Sequence, residues 1–169
     1  MRGILFFLLS ILLLFLLVTG LGLFLPSHVT ISRAVNVQAP RATVHALLVS
    51  PARWQQWFPG ADSLPLVKKN DRVAGIAMPN GNMLAIRSLN DSTIVVQGLQ
   101  TATVDGDMGF KLLGAASGIV TVQWYMNFYF DWYPWERFSS LLLENKFGSV
   151  MERGLKQLQQ QAQSDASIN

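Results

Sequence analysis

Ile119-Val-Thr-Val-Gln-Trp-Tyr-Met-Asn-Phe-Tyr-Phe-Asp131 is the stretch that decides the fold. Every second residue, Val120, Val122, Trp124, Met126, Phe128 and Phe130, is large and apolar. Thr121, Gln123, Tyr125, Asn127, Tyr129 and Asp131 fill the alternate positions. Successive strand side chains point to opposite faces, so this is a strand with one face in an apolar interior. Asp131 and Pro134 close it, since proline has no N–H for a ladder but suits a first helical turn. From Phe138 the apolar spacing becomes helical: Phe138, Leu141, Leu142, Phe147, Val150, Met151, Leu155 and Leu158. Glu144, Lys146, Glu152, Arg153 and Lys156 occupy the other faces. The spacing predicts one long helix whose stripe, from Phe138 onward, packs on the apolar face of a large curved sheet.

Upstream, Thr30 to Gln38 alternates Ile31, Arg33, Val35 and Val37 with polar or small residues and reads as a strand stopped by Ala39-Pro40. Val44, Leu47 and Leu48 mark a short amphipathic helix over Thr43 to Ser50, with His45 beside the stripe. Pro51 starts a second short helix holding Trp54, Trp57 and Phe58, ended by Pro59-Gly60. Asn80-Gly81 is a strong hairpin signal because both residues tolerate positive φ. Asn90-Asp91 and Asp105-Gly106 are further turns, and 114–118 is a looser one. Between them lie strands at Leu66–Lys69, Arg72–Met78, Met83–Leu89, Thr93–Thr103 and Asp107–Leu113. The sum is a strand, two small helices, six strands in an antiparallel meander and a long C-terminal helix: an α+β domain over residues 27–162. The polar residues 163–169 read as a disordered tail.

Gly3 to Leu25 carries no charge over 23 residues. At about 1.5 Å per residue such a helix spans a hydrocarbon core of about 30 Å. Residues 1–26 therefore read as a single-pass membrane anchor. A cleaved signal peptide is the alternative, with Val18-Thr19-Gly20 offering small residues to a peptidase, but its apolar region is ordinarily shorter. Arg2 and the terminal amine favour a cytoplasmic N-terminus and an exported domain, whereas Arg33 and Arg41 pull the other way. Pro26-Ser27 leaves little linker, so the domain sits close to the bilayer.

The net charge of +3 is small and scattered, with Lys68-Lys69 the single basic pair. No basic face for nucleic acid is readable. The absence of cysteine excludes a disulfide framework, a thiol nucleophile and a cysteine metal site. His28 sits at the membrane exit and His45 on a short helix; neither has metal-ligand spacing with carboxylates, and no metal or cofactor is expected. Asp105 and Asp107 flank Gly106, which suits a turn better than a catalytic dyad. Asp131 and Glu136 suit a helix N-terminus. Asp62 and Asp71 lie in loops, Glu144 and Glu152 fall off the helical stripe, and Asn90-Asp91-Ser92 reads as a turn. No nucleophile, base and orienting group assemble, so catalysis is not the favoured reading.

The succession Ser32-Arg33-Ala34-Val35-Asn36-Val37-Gln38-Ala39-Pro40, Val44, and Pro51-Ala52-Arg53-Trp54-Gln55-Gln56-Trp57-Phe58-Pro59-Gly60 resembles the opening of START-like (SRPBCC) domains. It is most similar to the polyketide cyclase/dehydrase and lipid-transport branch. Gly118-Ile-Val-Thr121-Val122-Gln123-Trp124 and the late Gly154-Leu155-Lys156-Gln157-Leu158 extend the likeness to roughly Val29–Gln161. The resemblance implies a helix-grip fold, a curved seven-stranded sheet wrapped around the C-terminal helix, leaving an apolar cavity. Its members include cyclases, dehydratases and carriers of lipids or hormones, so fold alone does not give the function.

Trp54, Trp57, Trp124 and Met126, with Phe128, Phe147, Met151 and Leu155, are the candidates to line that cavity, the alternative being that they simply fill the core. Asn127, Gln123 or Arg87 would orient a ligand, and Trp57 with the Asn80-Gly81 hairpin would gate it. Tyr125, Trp132, Tyr133 and Trp135 form a second aromatic cluster, facing either a membrane interface or a neighbouring loop. The reading is a membrane-anchored START-like domain that binds a hydrophobic small molecule or lipid. The alternatives are a cyclase/dehydratase-like enzyme and a protein-interaction module with a filled interior.

Overall fold

In the computed structural model, which describes residues 2–69, 71–79, 81–98, 105–114 and 118–168, the alternating stretch Ile119–Tyr129 is β7, flanked by strands on both sides. It pairs antiparallel with β1 (His28–Gln38) along its whole length, from His28↔Tyr129 to Gln38↔Ile119. On its other side lies β6 (Asp105–Leu113), followed by β5 (Thr93–Gln97), β4 (Met83–Leu89), β3 (Arg72–Ala77) and β2 (Leu66–Lys69). The sheet is thus a six-strand meander closed by β1, in the order β1-β7-β6-β5-β4-β3-β2. Val120, Val122, Trp124, Met126 and Phe128 are all buried. One face of the sheet is the core.

Covering it are α2 (Arg41–Val49), α3 (Pro51–Trp54) and α5 (Leu143–Ile168). Met151, Leu155, Leu158 and Ala162 of α5 are buried in one cluster with Ile31 and Val37 of β1 and with Trp124 and Phe128. Gly98, just past β5, sits at φ +106°, and a Cβ there would run into the Met83 carbonyl. The expected continuation of this strand to Thr103 falls on residues 99–103, which lie outside the described residues. Of the Asn80-Gly81 pair, Asn80 also lies outside them, while Gly81 has φ +83° and donates to the Met78 carbonyl at 3.0 Å, as a turn requires.

Three expectations need correction. Asp105-Gly106 is not a turn: both residues belong to β6, opposite Tyr129 and Phe128 of β7. The apolar stripe does not begin at Phe138: Phe138, Leu141 and Leu142 are exposed. The chain forms α4 (Pro134–Ser139), then a 3-10 turn over Ser140–Leu142, and only then α5. A 3-10 turn has about three residues per turn rather than 3.6, so it shifts the phase of the stripe. Ser139 and Ser140 add to the break by donating their hydroxyls to the Glu136 and Arg137 carbonyls at 2.6 and 2.7 Å.

Residues 163–168 of the expected disordered tail continue α5 beyond the buried Ala162. Polarity alone hid its anchor, an ion pair between Arg53 and Asp165, which also accepts from Gln161 Nε2 at 2.9 Å. Arg53 holds the Asp165 carboxyl below its ordinary 3.8. A carboxyl depressed in the folded state stabilises above its unfolded pKa, and that contribution is lost as pH falls through the folded value. Arg53→Gln is therefore expected to lower Tm at neutral pH and to leave it unchanged at about pH 2. Thermal melts at both pH values check this; an equal deficit at both would rule the ion pair out as the cause.

α1 (Arg2–Leu23) is long and apolar enough to cross a membrane, and only Gly22 in it is buried. Its end touches α4. Arg137 donates to the Leu25 carbonyl at 2.6 Å, and Glu136 accepts the Asp131 N–H at 3.0 Å, tying the start of α4 to the end of β7.

Candidate functional site

The C-terminal carbonyls of α2 have no intrahelical partners, and two tryptophans supply them. Trp54 Nε1 donates to the Leu48 carbonyl at 2.8 Å and Trp57 Nε1 to the Leu47 carbonyl at 3.3 Å. Their rings are thereby fixed over the sheet. Trp57 meets Phe110 and Trp124 edge-on, with centroids 5.5 and 6.4 Å apart. Phe58 and Phe110 lie 5.2 and 5.4 Å from Trp124. Trp124 is fully buried at the centre of these rings. Its Nε1 has no hydrogen-bond partner among the described residues. A buried donor left unsatisfied costs about 1–3 kcal/mol. Of the three buried indoles, this one alone has its N–H unspent among the described residues.

The eight candidate lining residues come together in one place. Trp54, Trp57, Trp124, Met126, Phe128, Met151 and Leu155 belong to the buried cluster, and Phe147 is half-buried against it, 5.0 Å from Phe128. An open cleft of about 550 Å³ borders them, between α5 and the turn that follows α3. Trp57, Phe58 and Val150 line it, while Gln55, Asp62, Arg153 and Gln157 make its walls polar. Gly154 of α5 closes the space between cleft and core. A Cβ there would lie 2.7 Å from both Pro59 Cδ and Trp124 Cζ3. A second, more open concavity of about 600 Å³ lies at Pro40, Ile119 and Ala166.

The expected polar donors are misplaced. The alternation that turns Trp124 and Met126 inward turns Gln123 and Asn127 outward. Asn127 instead sits in a polar ladder on the outer face, donating to Asp107 Oδ2 at 3.0 Å and accepting from Thr30 Oγ1 at 2.8 Å. Tyr129 joins it at 3.3 Å from Asp107 Oδ1 and stacks on His28 at 4.9 Å. The Asp107 charge pushes the Tyr129 hydroxyl upward in pKa; burial, then the same charge, raises Tyr125. Arg87 is exposed. The side chain of Asp105 lies outside the described residues, and Asp107 is committed to the ladder.

Arg33 faces inward from β1 and meets α5 at Gly148, where a Cβ would lie 2.8 Å from Arg33 Nη2. It bonds Glu144 and, at 2.8 Å, Glu152, one helical turn to either side. Those two carboxylates raise the Arg33 pKa, Glu144 first. The cluster bolts α5 to the sheet edge. His45 is half-buried on α2, and no three of His, Asp or Glu converge as metal ligands among the described residues.

The family model for polyketide cyclase/dehydrase and lipid transport proteins matches residues 28–163. The chain belongs to this family. Its helix-grip, START-like fold is shared by solved structures. A protein from Nitrosospira multiformis is 13% identical with a TM-score of 0.62, covering 82% of this chain and 99% of that one. A START superfamily protein from Mycobacterium smegmatis is 14% identical, TM-score 0.59, covering 80% and 97%. An aromatase/cyclase from Streptomyces sp. R1128 is 15% identical, TM-score 0.59, covering 80% and 94%. Identities this low speak to the fold alone. No curated protein matches the chain.

Within this polyketide cyclase/dehydrase-family domain, sequence reasoning missed Phe110, Gly154 and the polar cleft wall. Gly154 carried a signal, being a glycine inside a strong helical pattern, which is tolerated at a cost and points to close packing. Arg153 and Gln157 carried none, since nothing in their spacing distinguishes a cleft wall from open solvent.

Proposed function

We propose that this domain binds a hydrophobic small molecule or lipid against its aromatic core, admitted between the Phe58–Pro59 turn and α5. Trp124 Nε1 is the fixed donor to an acceptor atom of the ligand, a carbonyl or hydroxyl oxygen. The observation that carries this reading is the orphaned indole N–H at the centre of the cluster, beside two others that are fully used. A ligand acceptor would recover the cost of that unsatisfied donor, and apolar burial would contribute about 25 cal/mol per Å². Phe58 packs on Trp124 with ring centroids 5.2 Å apart and Pro59 lies close to Gly154 of α5, so a small outward shift of this turn would connect cleft and core. Family membership supports the reading, because its members handle apolar substrates. Among the described residues Ser140 is the one buried polar residue, and a binding role requires no titratable group in the core. In the same reading α1 is a retained anchor with the domain exported, shortening the path between bilayer and binding site.

Energy transfer from tryptophan to cis-parinaric acid, a fluorescent fatty acid, tests the site. Wild-type protein is expected to show saturable transfer that a non-fluorescent fatty acid displaces. Non-saturating transfer, or transfer that survives Trp124→Phe unchanged, contradicts the assignment.

A further inference from the structure

Five large apolar side chains between Trp132 and Leu142 face outward. Trp132 is 56% exposed, Trp135 60%, Phe138 37%, Leu141 60% and Leu142 65%. Contiguous exposed apolar surface of this kind marks a contact with something apolar. The patch is held by the last turn of α1. Gly22 lets Pro134 come so close that a Cβ at position 22 would lie 3.2 Å from Pro134 Cα. Arg137, from the middle of the patch, donates to the Leu25 carbonyl at 2.6 Å and to the Asp131 carbonyl at 2.7 Å. Phe24, 89% exposed, stands at the same level.

A helix that crosses a bilayer over Arg2–Leu23 brings Leu23 to Leu25 to the boundary between hydrocarbon and headgroups. α4 touches that boundary, so it lies at the same depth. Its chemistry suits the depth. Trp132, Tyr133 and Trp135 stack in a row, with centroids 4.6 and 5.0 Å apart, and Trp and Tyr concentrate at membrane interfaces. Leu141 and Leu142 offer an aliphatic edge, and Arg137 keeps its charge on the backbone carbonyls at the exit.

We infer that the Trp132–Leu142 segment is embedded in the interfacial layer of the leaflet from which α1 emerges, so that the domain is seated on lipid at two adjoining points. This rests on α1 being a retained membrane span. Behind the segment lie Leu143, Phe147 and Phe128, so the lipid contact adjoins one end of the apolar core.

The test uses the full-length chain reconstituted into phosphatidylcholine vesicles, with and without bromine high on the acyl chains. Flotation reads α1, and bromine quenching reads the segment. The vesicles are expected to carry the protein upward and bromolipid to quench its fluorescence. In Trp132→Phe/Trp135→Phe most of that quenching should vanish, because Trp54, Trp57 and Trp124 are buried. Leu141→Asp/Leu142→Asp should still float yet lose quenching. Floating protein quenched equally in wild type and the double phenylalanine variant overturns the inference while sparing the anchor. Protein that does not float fails both together. Shielding of Trp132 and Trp135 that follows protein-to-lipid ratio rather than bromine would place a second copy on the patch and overturn the lipid contact.

Discussion

Trp124→Ala is expected to cost about 3–5 kcal/mol of folding stability, the range for removing a fully buried large aromatic side chain. The ring touches Trp57, Phe58 and Phe110, and α5 reaches it at Gly154, so its loss opens a cavity that three elements, the turn after α3, β6 and α5, would have to fill. Trp124→Phe behaves differently. It keeps most of the ring but deletes the orphan N–H, recovering about 1–3 kcal/mol of unsatisfied-donor cost against the volume lost. The two terms nearly cancel, so its urea midpoint should stay close to wild type while fatty-acid affinity falls about tenfold or more. A phenylalanine variant as unstable as the alanine one would mean that the indole N–H has a partner after all.

Gly154→Val is expected to destabilise the domain by about 1–3 kcal/mol through overpacking. The new side chain meets Pro59 Cδ and Trp124 Cζ3 at 2.7 Å. Both belong to rings, one of them fused to the backbone, so neither can yield by rotating a flexible end. The β-branched residue gains little in helix propensity to offset this. Relief comes from moving the Phe58–Pro59 turn outward, the motion proposed to admit ligand. Gly154→Val should therefore speed parinaric acid uptake even as it lowers the urea midpoint, whereas Lys156→Ala on the exposed side of α5 should change stability by about 0.5 kcal/mol or less. Slower uptake in the valine variant would place the path elsewhere.

Most of the sheet could be read from the chain because period-two alternation is strong in β7 and turn residues bound the meander. Phe138, Leu141 and Leu142 show where such reading stops. Their spacing is helical and apolar, but hydrophobicity does not say whether the apolar partner is a protein core or a lipid, and the 3-10 turn that puts Phe138, Leu141 and Leu142 out of phase with α5 is accompanied by serine hydroxyls bonded to backbone carbonyls, which spacing does not reveal. Asp165 was unreadable for a similar reason: its partner Arg53 is over a hundred residues away in sequence. The aromatic candidates were readable as buried residues. Which indole N–H is spent on α2 and which is left over depends on tertiary geometry, and no pattern of residue types carries it. Asn127 and Gln123 were expected to orient a ligand at the cavity mouth, but the alternation that buries Trp124 puts both on the outer face, where Asn127 joins the ladder with Asp107 and Thr30.

The most direct measurement is native mass spectrometry of the full-length protein released from detergent micelles, with lipid extraction of the same sample. One hydrophobic molecule retained per wild-type chain, and lost in Trp124→Phe despite an unchanged fold, is the result predicted. Wild-type protein that carries no such molecule and takes up none from vesicles would contradict a binding site at Trp124.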